Sequence, residues 1–213
     1  MSYQPTYKYL PPASYAWGTP LYDFFCTILG LGKKYKKKVL AALPITSGMT
    51  VADIGCGTGV FLKIAKEKYP SVRFSGIDPD KAALAIAERR LKKSGCDVEL
   101  IHAFAESLPL PDQSVDICVS SLAFHHMPDD IKAKAVKEIH RVLKLGGTVM
   151  IADFGASHSH FFRKALFFEK VEYIDGNFKG LIPKFLREAG FSEPEIVGHH
   201  PPGIVFLRAV KKT

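Results

Sequence analysis

The stretch Val51-Ala52-Asp53-Ile54-Gly55-Cys56-Gly57-Thr58-Gly59-Val60-Phe61-Leu62 decides how this chain is read. A short apolar run, broken only by Asp53, meets three glycines on alternate positions, and a helical pattern follows at once. That succession predicts a buried strand ending in a tight turn that feeds the N-terminus of a helix. Glycine permits the sharp backbone turn and removes the side chains that would keep a ligand away. The helix start adds unpaired N–H groups and a partial positive charge. Such a turn suits the close approach of a small molecule.

The spacing narrows the choice of molecule. A dinucleotide fingerprint, G-x-G-x-x-G, would place its third glycine at position 60, which is Val. A phosphate loop would need Gly-Lys-Ser or Gly-Lys-Thr, and the chain has neither. Asp53 beside the turn suits an ammonium or a sulfonium better than a pyrophosphate. Further on, Val72–Ile77 reads as a second strand ending at Asp78-Pro79. A carboxylate at that tip can accept both hydroxyls of a ribose. Asp80 fits the cap of the next helix better than Asp78 does, because Pro79 disfavours helical geometry in the residue before it.

Strands are expected at about 50–54, 72–77, 97–101, 115–120 and 147–153, separated by helices near 58–69, 80–93 and 129–144. Asp129 and Asp130 suit the start of the third helix, and Gly146-Gly147 its end. This alternation predicts an α/β fold with a mainly parallel sheet and helices on both faces. Ligands of such sheets gather at the carboxyl ends of the strands, which puts Asp53, Asp78, Ala105, Ser121 and Asp153 on one rim.

Four segments in order, VADIGCGTG (51–59), GIDPD (76–80), AESLPLPDQSVDICVSSLAFHHMPD (105–129) and IHRVLKLGGTVMIADF (139–154), resemble the class I S-adenosylmethionine-dependent methyltransferases. The likeness is to the small-molecule branch that includes the ubiquinone and menaquinone enzymes. It runs through residues 39–153 and more loosely from Leu181 onward. It implies a Rossmann-like, seven-stranded sheet with an antiparallel pair at its C-terminal edge, Glu195–Val197 with Ile204–Val210. It also implies S-adenosylmethionine as methyl donor and S-adenosylhomocysteine as product. Gly55, Cys56, Gly57 and Gly59 would lie along the methionine part, with Asp53 indirectly holding its amino group. Asp78 would take the ribose and Pro79 would lie along the adenine. Ser121 stands on the same rim. The family usually has Gly-Asp-Ala where this chain has Ala103-Phe104-Ala105, and the acid that bonds the adenine amino group is absent. Ala105 N–H, Glu106 or a water would serve in its place, or Phe104 would stack on the ring or stay in the core.

The resemblance implies a single domain over 1–213. It divides into an N-terminal helical cap (1–45), a cofactor-binding core (46–153), a lid or substrate segment (154–190) and a C-terminal strand pair (191–213). A content of 47% hydrophobic residues suits one full-sized core, and no run reaches a membrane span. The N-terminus lacks a signal-sequence pattern and Cys26, Cys56, Cys96 and Cys118 form no C-x-x-C pair. A cytoplasmic protein with reduced thiols and no metal is therefore expected. The net charge of +8 gathers at Lys33, Lys34, Lys36, Lys37 and Lys38, after the apolar Leu21–Leu31 segment. That run is a solvated face, a contact for an anionic membrane surface (hence a peripheral location), or a contact for RNA phosphates; DNA is not expected.

Phe154, Phe161, Phe162, Phe167, Phe168, Tyr173 and Phe178 would line an apolar acceptor pocket or pack as an amphipathic helix. Tyr15 and Tyr22 are candidates for the donor's carboxylate. His125, beside His126 after the fourth strand, is the candidate general base, with His158 and His160 comparable. Asp153 with those last two would be the only metal set, and its spacing is unspecific. The expected acceptor is a small molecule, apolar or lipid-like. The quinone enzymes carry Gly-Leu-Arg-Asn where this chain has Ser121-Leu122-Ala123-Phe124, which speaks against their own reaction. An RNA or protein methyltransferase and a non-catalytic cofactor-binding regulator stand as alternatives, and oligomeric state is not legible.

Overall fold

The computed structural model describes residues 30–155, 173–201 and 203–212. Its elements, in chain order, are α1 (Lys33–Ala41), β1 (Thr50–Ile54), α2 (Val60–Lys68), β2 (Arg73–Asp78), α3 (Lys81–Lys93), β3 (Glu99–His102), β4 (Val115–Ser121), a 3₁₀ turn (Phe124–His126) and α4 (Asp129–Val142). These are followed by β5 (Leu143–Phe154), the single turn α5 (Asp175–Phe178), α6 (Leu181–Glu188), β6 (Glu195–His200) and β7 (Ile204–Val210). One seven-stranded sheet runs in the order β3-β2-β1-β4-β5-β7-β6. β1 to β5 are parallel, whereas β7 lies antiparallel between β5 and β6. The α/β architecture and the antiparallel edge pair are those expected.

Strand alternation builds a core on each face, because successive side chains of a strand point to opposite sides. Val51, Val119 and Met150 face one way, with Tyr35 and Leu40 of α1, Phe61 and Leu62 of α2, and Leu91 of α3. Ala52, Cys118 and Ile151 face the other, with Val136 and Ile139 of α4 and Leu186 of α6. Each such large apolar side chain, fully buried, is worth about 1.5–3 kcal/mol. The described end of the expected lid segment thus belongs partly to the core, through α6.

Two expectations shift. Gly146-Gly147 does not end the third long helix: α4 stops at Val142, and Leu143 already pairs with Val115. The β4–β5 register then slips between Val115 and Ile117, and Gly146, at φ +74°, lets the chain turn through the irregularity. Gly146 N–H donates to Lys211 O and Lys211 N–H to Gly147 O, so the glycines join the sheet edge instead. The third strand begins at Glu99, two residues late, after the turn at Gly95 (φ +63°).

Register decides where chemistry gathers. Ile54 aligns with Ile77, Asp53 with Val119, and Ser121 with Ala152. The carboxyl ends of β1, β2, β4 and β5 therefore meet at one level.

Candidate active site

Gly55, Gly57 and Gly59 all adopt positive φ (+76°, +53° and +73°), which glycine alone adopts freely. Their surroundings differ. A Cβ on Gly55 would lie 2.4 Å from Ala123 Cβ, so this glycine lets β1 close against the segment after β4. A Cβ on Gly59 would lie 2.9 Å from Ala87 Cβ, so this glycine lets α2 pack onto α3, and it lies off the cavity wall. Around Gly57, which lines the cavity with Gly55, nothing lies within 4 Å of the Cβ position.

The turn is strapped to β2. Gly55 and Cys56 N–H donate to Ile77 O (2.8 and 3.1 Å), and Gly57 N–H donates to Asp78 Oδ2 (2.8 Å). Asp78 Oδ1 accepts from Asp80 N–H (2.9 Å). Asp80 caps α3 by accepting from Ala82 and Ala83 N–H, the role its position suggested. Each Asp78 oxygen keeps a free lone-pair direction, and the residue lines the cavity. Burial pushes its carboxyl up to about 6, against the pull of the Asp80 and Gly57 N–H groups.

Asp53 is 2% exposed and lies behind the cavity wall. Burial raises its carboxyl to about 7; Lys36 lowers it and Asp78 raises it. Cys56, on the wall, has its thiol pushed well up by burial and by Asp78 and Asp53, which leaves it un-nucleophilic. A low-dielectric pair of carboxyls beneath a glycine turn is a place that gains from an incoming cation.

Helix α1 closes one side of the cavity. Tyr35, fully buried, shares a hydrogen bond with Ser121 Oγ (3.0 Å) and donates to Ala152 O (3.2 Å). Lys36 Nζ donates to the same Ser121 Oγ (3.1 Å) and lines the cavity. Ser121 is thus on the wall, held from α1. Pro79, Phe104, Ala105 and Glu106 form the wall opposite. Arg141 and Glu138 of α4 hold this loop: Glu138 accepts from Leu108 N–H, and Arg141 donates to the carbonyls of Leu108 and Leu110 and to Asp112.

The two histidines divide their tasks. His125 Nδ1 bonds Asp153 Oδ1 (2.8 Å), and the residue is absent from the cavity wall. Asp153 Oδ2 also accepts from the N–H groups of Phe124 and His125, while Oδ1 accepts from Phe154 N–H and Asn177 Nδ2. Burial raises the Asp153 carboxyl, but His125 and these donors outweigh it and hold it below its ordinary value. The dyad pins the turn after β4. His126, its ring 4.0 Å from that of His125, is the imidazole on the wall, so the expected base stands one position from the one that faces the cavity. Burial and the neighbouring His125 lower His126 to about 3. His158, His160, Tyr15 and Tyr22, and Phe161, Phe162, Phe167 and Phe168 of the expected lid, lie outside the described residues.

The cavity measures about 1190 Å³, beyond the ~300–1,000 Å³ usual for one small ligand. Among the described residues, no helix is long and apolar enough to cross a membrane.

Residues 51–147 match the methyltransferase domain family. The demethylmenaquinone methyltransferase of Bacillus velezensis is 29% identical over 158 residues, and that of Bacillus licheniformis 31% over 157. Each alignment covers 73% of this chain and 66% of the relative, so the chain spans just under two thirds of the length of these curated relatives. Among solved structures, phosphoethanolamine N-methyltransferase 2 of Haemonchus contortus, in complex with phosphomonomethylethanolamine and S-adenosylhomocysteine, superposes with a TM-score of 0.76 at 20% identity. That superposition covers 94% of this chain and 58% of the other, and shows a shared fold.

Proposed function

We propose that this chain, which belongs to the class I S-adenosylmethionine-dependent methyltransferases, transfers a methyl group to a small acceptor seated beside the donor in the strand-end cavity. The observation that carries this reading is the cradle at Gly57: open space where a Cβ would sit, with the Asp78 carboxylate at the end of the neighbouring strand. A dinucleotide would want its pyrophosphate where Asp53 and Asp78 place negative charge.

When bound, S-adenosylmethionine supplies an electrophilic methyl on a sulfonium and departs as S-adenosylhomocysteine. Gly55, Cys56 and Gly57 present backbone to the methionyl portion, and Asp53, behind them, favours its ammonium. Lys36, arriving from α1 with Ser121, provides the cation for its carboxylate. Asp78 accepts from the ribose hydroxyls. Pro79, Phe104 and Ala105 flank the adenine, with Ala105 N–H and Glu106 replacing the missing acid. The reaction asks the protein mainly to align nucleophile and methyl in a dry site. His126, neutral throughout the physiological range, orients the acceptor by a hydrogen bond, and the His125–Asp153 dyad holds the turn that carries it. The acceptor's proton leaves to solvent.

The acceptor is small and partly apolar, because Leu31, Leu40, Phe61, Ile64 and Met127 share the wall with the polar groups. Demethylmenaquinone itself is disfavoured by Ser121-Leu122-Ala123-Phe124 standing in place of the quinone enzymes' sequence. Calorimetric titration with S-adenosylhomocysteine tests the reading. Saturable binding is expected, weakened at least about tenfold, or ~1.4 kcal/mol, in Asp78→Ala. Absence of binding at about 1 mM ligand, where even about −4 kcal/mol registers, would refute it.

A further inference from the structure

The lysine run of α1 is not one solvated face. Lys33, Lys36 and Lys37 line the cavity together with Leu40, at the i, i+3, i+4, i+7 spacing that shares a helical face, whereas Lys34 and Lys38, exposed as Lys33 and Lys37 also are, lie off the wall. Lys63 and Lys68 of α2 and Arg90 and Lys93 of α3 join the same wall, so three helices direct basic groups at one concavity. The acids on that wall do not balance them. Against seven basic side chains on it stand Glu67, which pairs with Lys63 (2.5 Å), and Asp78. Glu106 is the one further acid on the described wall. A methyl donor with a sulfonium, an ammonium and a carboxylate is itself net positive, and leaves the excess in place. Clefts lined by one sign of charge concentrate ligands of the opposite sign.

We propose that the acceptor is an anionic amphiphile, carrying a phosphate or comparably acidic group held by Lys33, Lys37 and their neighbours, with its apolar body along Leu31, Leu40 and Ile64. This rests on the methyltransferase reading and names its substrate class. The anion has two sources, a soluble phosphorylated metabolite or the headgroup of a membrane lipid.

The test uses the full chain saturated with S-adenosylhomocysteine, whose binding is measured first, so that failure of the donor reading is seen separately. Octyl phosphate and the neutral octyl glucoside are then titrated calorimetrically below micelle formation, and phosphatidylcholine vesicles with and without phosphatidylglycerol are tested by flotation. Octyl phosphate is expected to bind at least about tenfold more tightly than octyl glucoside, the preference shrinking with added salt. Lys33→Gln with Lys37→Gln is expected to abolish most of that preference, while Lys34→Gln with Lys38→Gln, which removes equal charge from the same helix, preserves it. Thermal melts establish that both variants fold. Flotation with phosphatidylglycerol, lost in the first variant and kept in the second, supports the same anion site with a lipid as its source. Equal binding of the two octyl compounds with no charge-dependent flotation overturns the proposal, as does equal loss in both double variants.

Discussion

Asp53→Asn isolates the electrostatic cost of the site. Asp53 is 2% exposed, and burial lifts its carboxyl from 3.8 to about 7. The folded state therefore binds a proton more readily than the unfolded state between those values, and stability must fall as pH rises through that window. A tenfold difference in proton affinity between the two states is worth about 1.4 kcal/mol. Linkage with these two values gives a loss of roughly 2 kcal/mol already at pH 5 and roughly 4 kcal/mol at pH 8, a further loss of about 2–3 kcal/mol across the range. At ~2–4 °C per kcal/mol for a chain of this size, Asp53 alone should lower the melting temperature by about 5–10 °C between pH 5 and pH 8. Asparagine is nearly isosteric with the protonated acid and does not titrate. Ligand-free Asp53→Asn should melt higher than the parent at pH 8, draw closer to it as pH falls to 5 and below, and lack this component of the slope. The assay is differential scanning calorimetry of both proteins at four pH values in one buffer series. Binding of a cationic donor should reverse the trend in the parent, because the ionised carboxylate is the form it favours. Parallel pH profiles for the two proteins would refute the assignment of a raised carboxyl at position 53.

Lys36→Met should weaken S-adenosylhomocysteine at least about tenfold, as loss of a charge-assisted contact worth ~1.5–3 kcal/mol requires, yet leave 5′-methylthioadenosine, which lacks the amino-acid end, nearly unchanged. Calorimetry with both ligands decides it, and equal losses would mean that Lys36 supports only the fold. Gly55→Ala places a methyl 2.4 Å from Ala123 Cβ at φ +76°, and strain plus overpacking should cost about 3 kcal/mol in a urea melt. Gly57→Ala, with open space at φ +53°, should cost only about 1 kcal/mol of stability but block ligand binding, so a similar stability loss in both would contradict the geometry. Lys211→Met removes the Nζ that satisfies His140 O and Leu143 O at the end of α4, and should lower stability by about 2 kcal/mol, read as a ~4–8 °C fall in melting temperature.

What was legible in the chain, and what was not, divides by sequence distance. The β1 turn could be read because its requirements are local: positive φ at Gly55, Gly57 and Gly59 is written as glycine whatever the rest of the chain does. The Asp80 cap was readable for the same reason, since the N–H groups that donate to it lie two and three residues on. Gly146-Gly147 misled because a glycine after a helical pattern marks either a helix end or an irregular ladder, and only the pairing of Leu143 with Val115 separates them. Lys36 was invisible among five lysines. It is distinguished by Ser121, 85 residues later in the chain, and by the burial of Tyr35 beside it. The orientation of the histidine pair was hidden in the same way, because Asp153, 28 residues beyond His125, decides which ring is turned into the protein and which onto the wall. The part of the site proposed for the donor is built largely from contacts within one β-turn-α unit and the tip of the next strand. The part proposed for the acceptor depends on where α1 and the turn after β4 come to rest. A sequence therefore names the donor class well before the acceptor, and the charge on the inward face of α1 becomes readable only once the cavity gives that helix an inside.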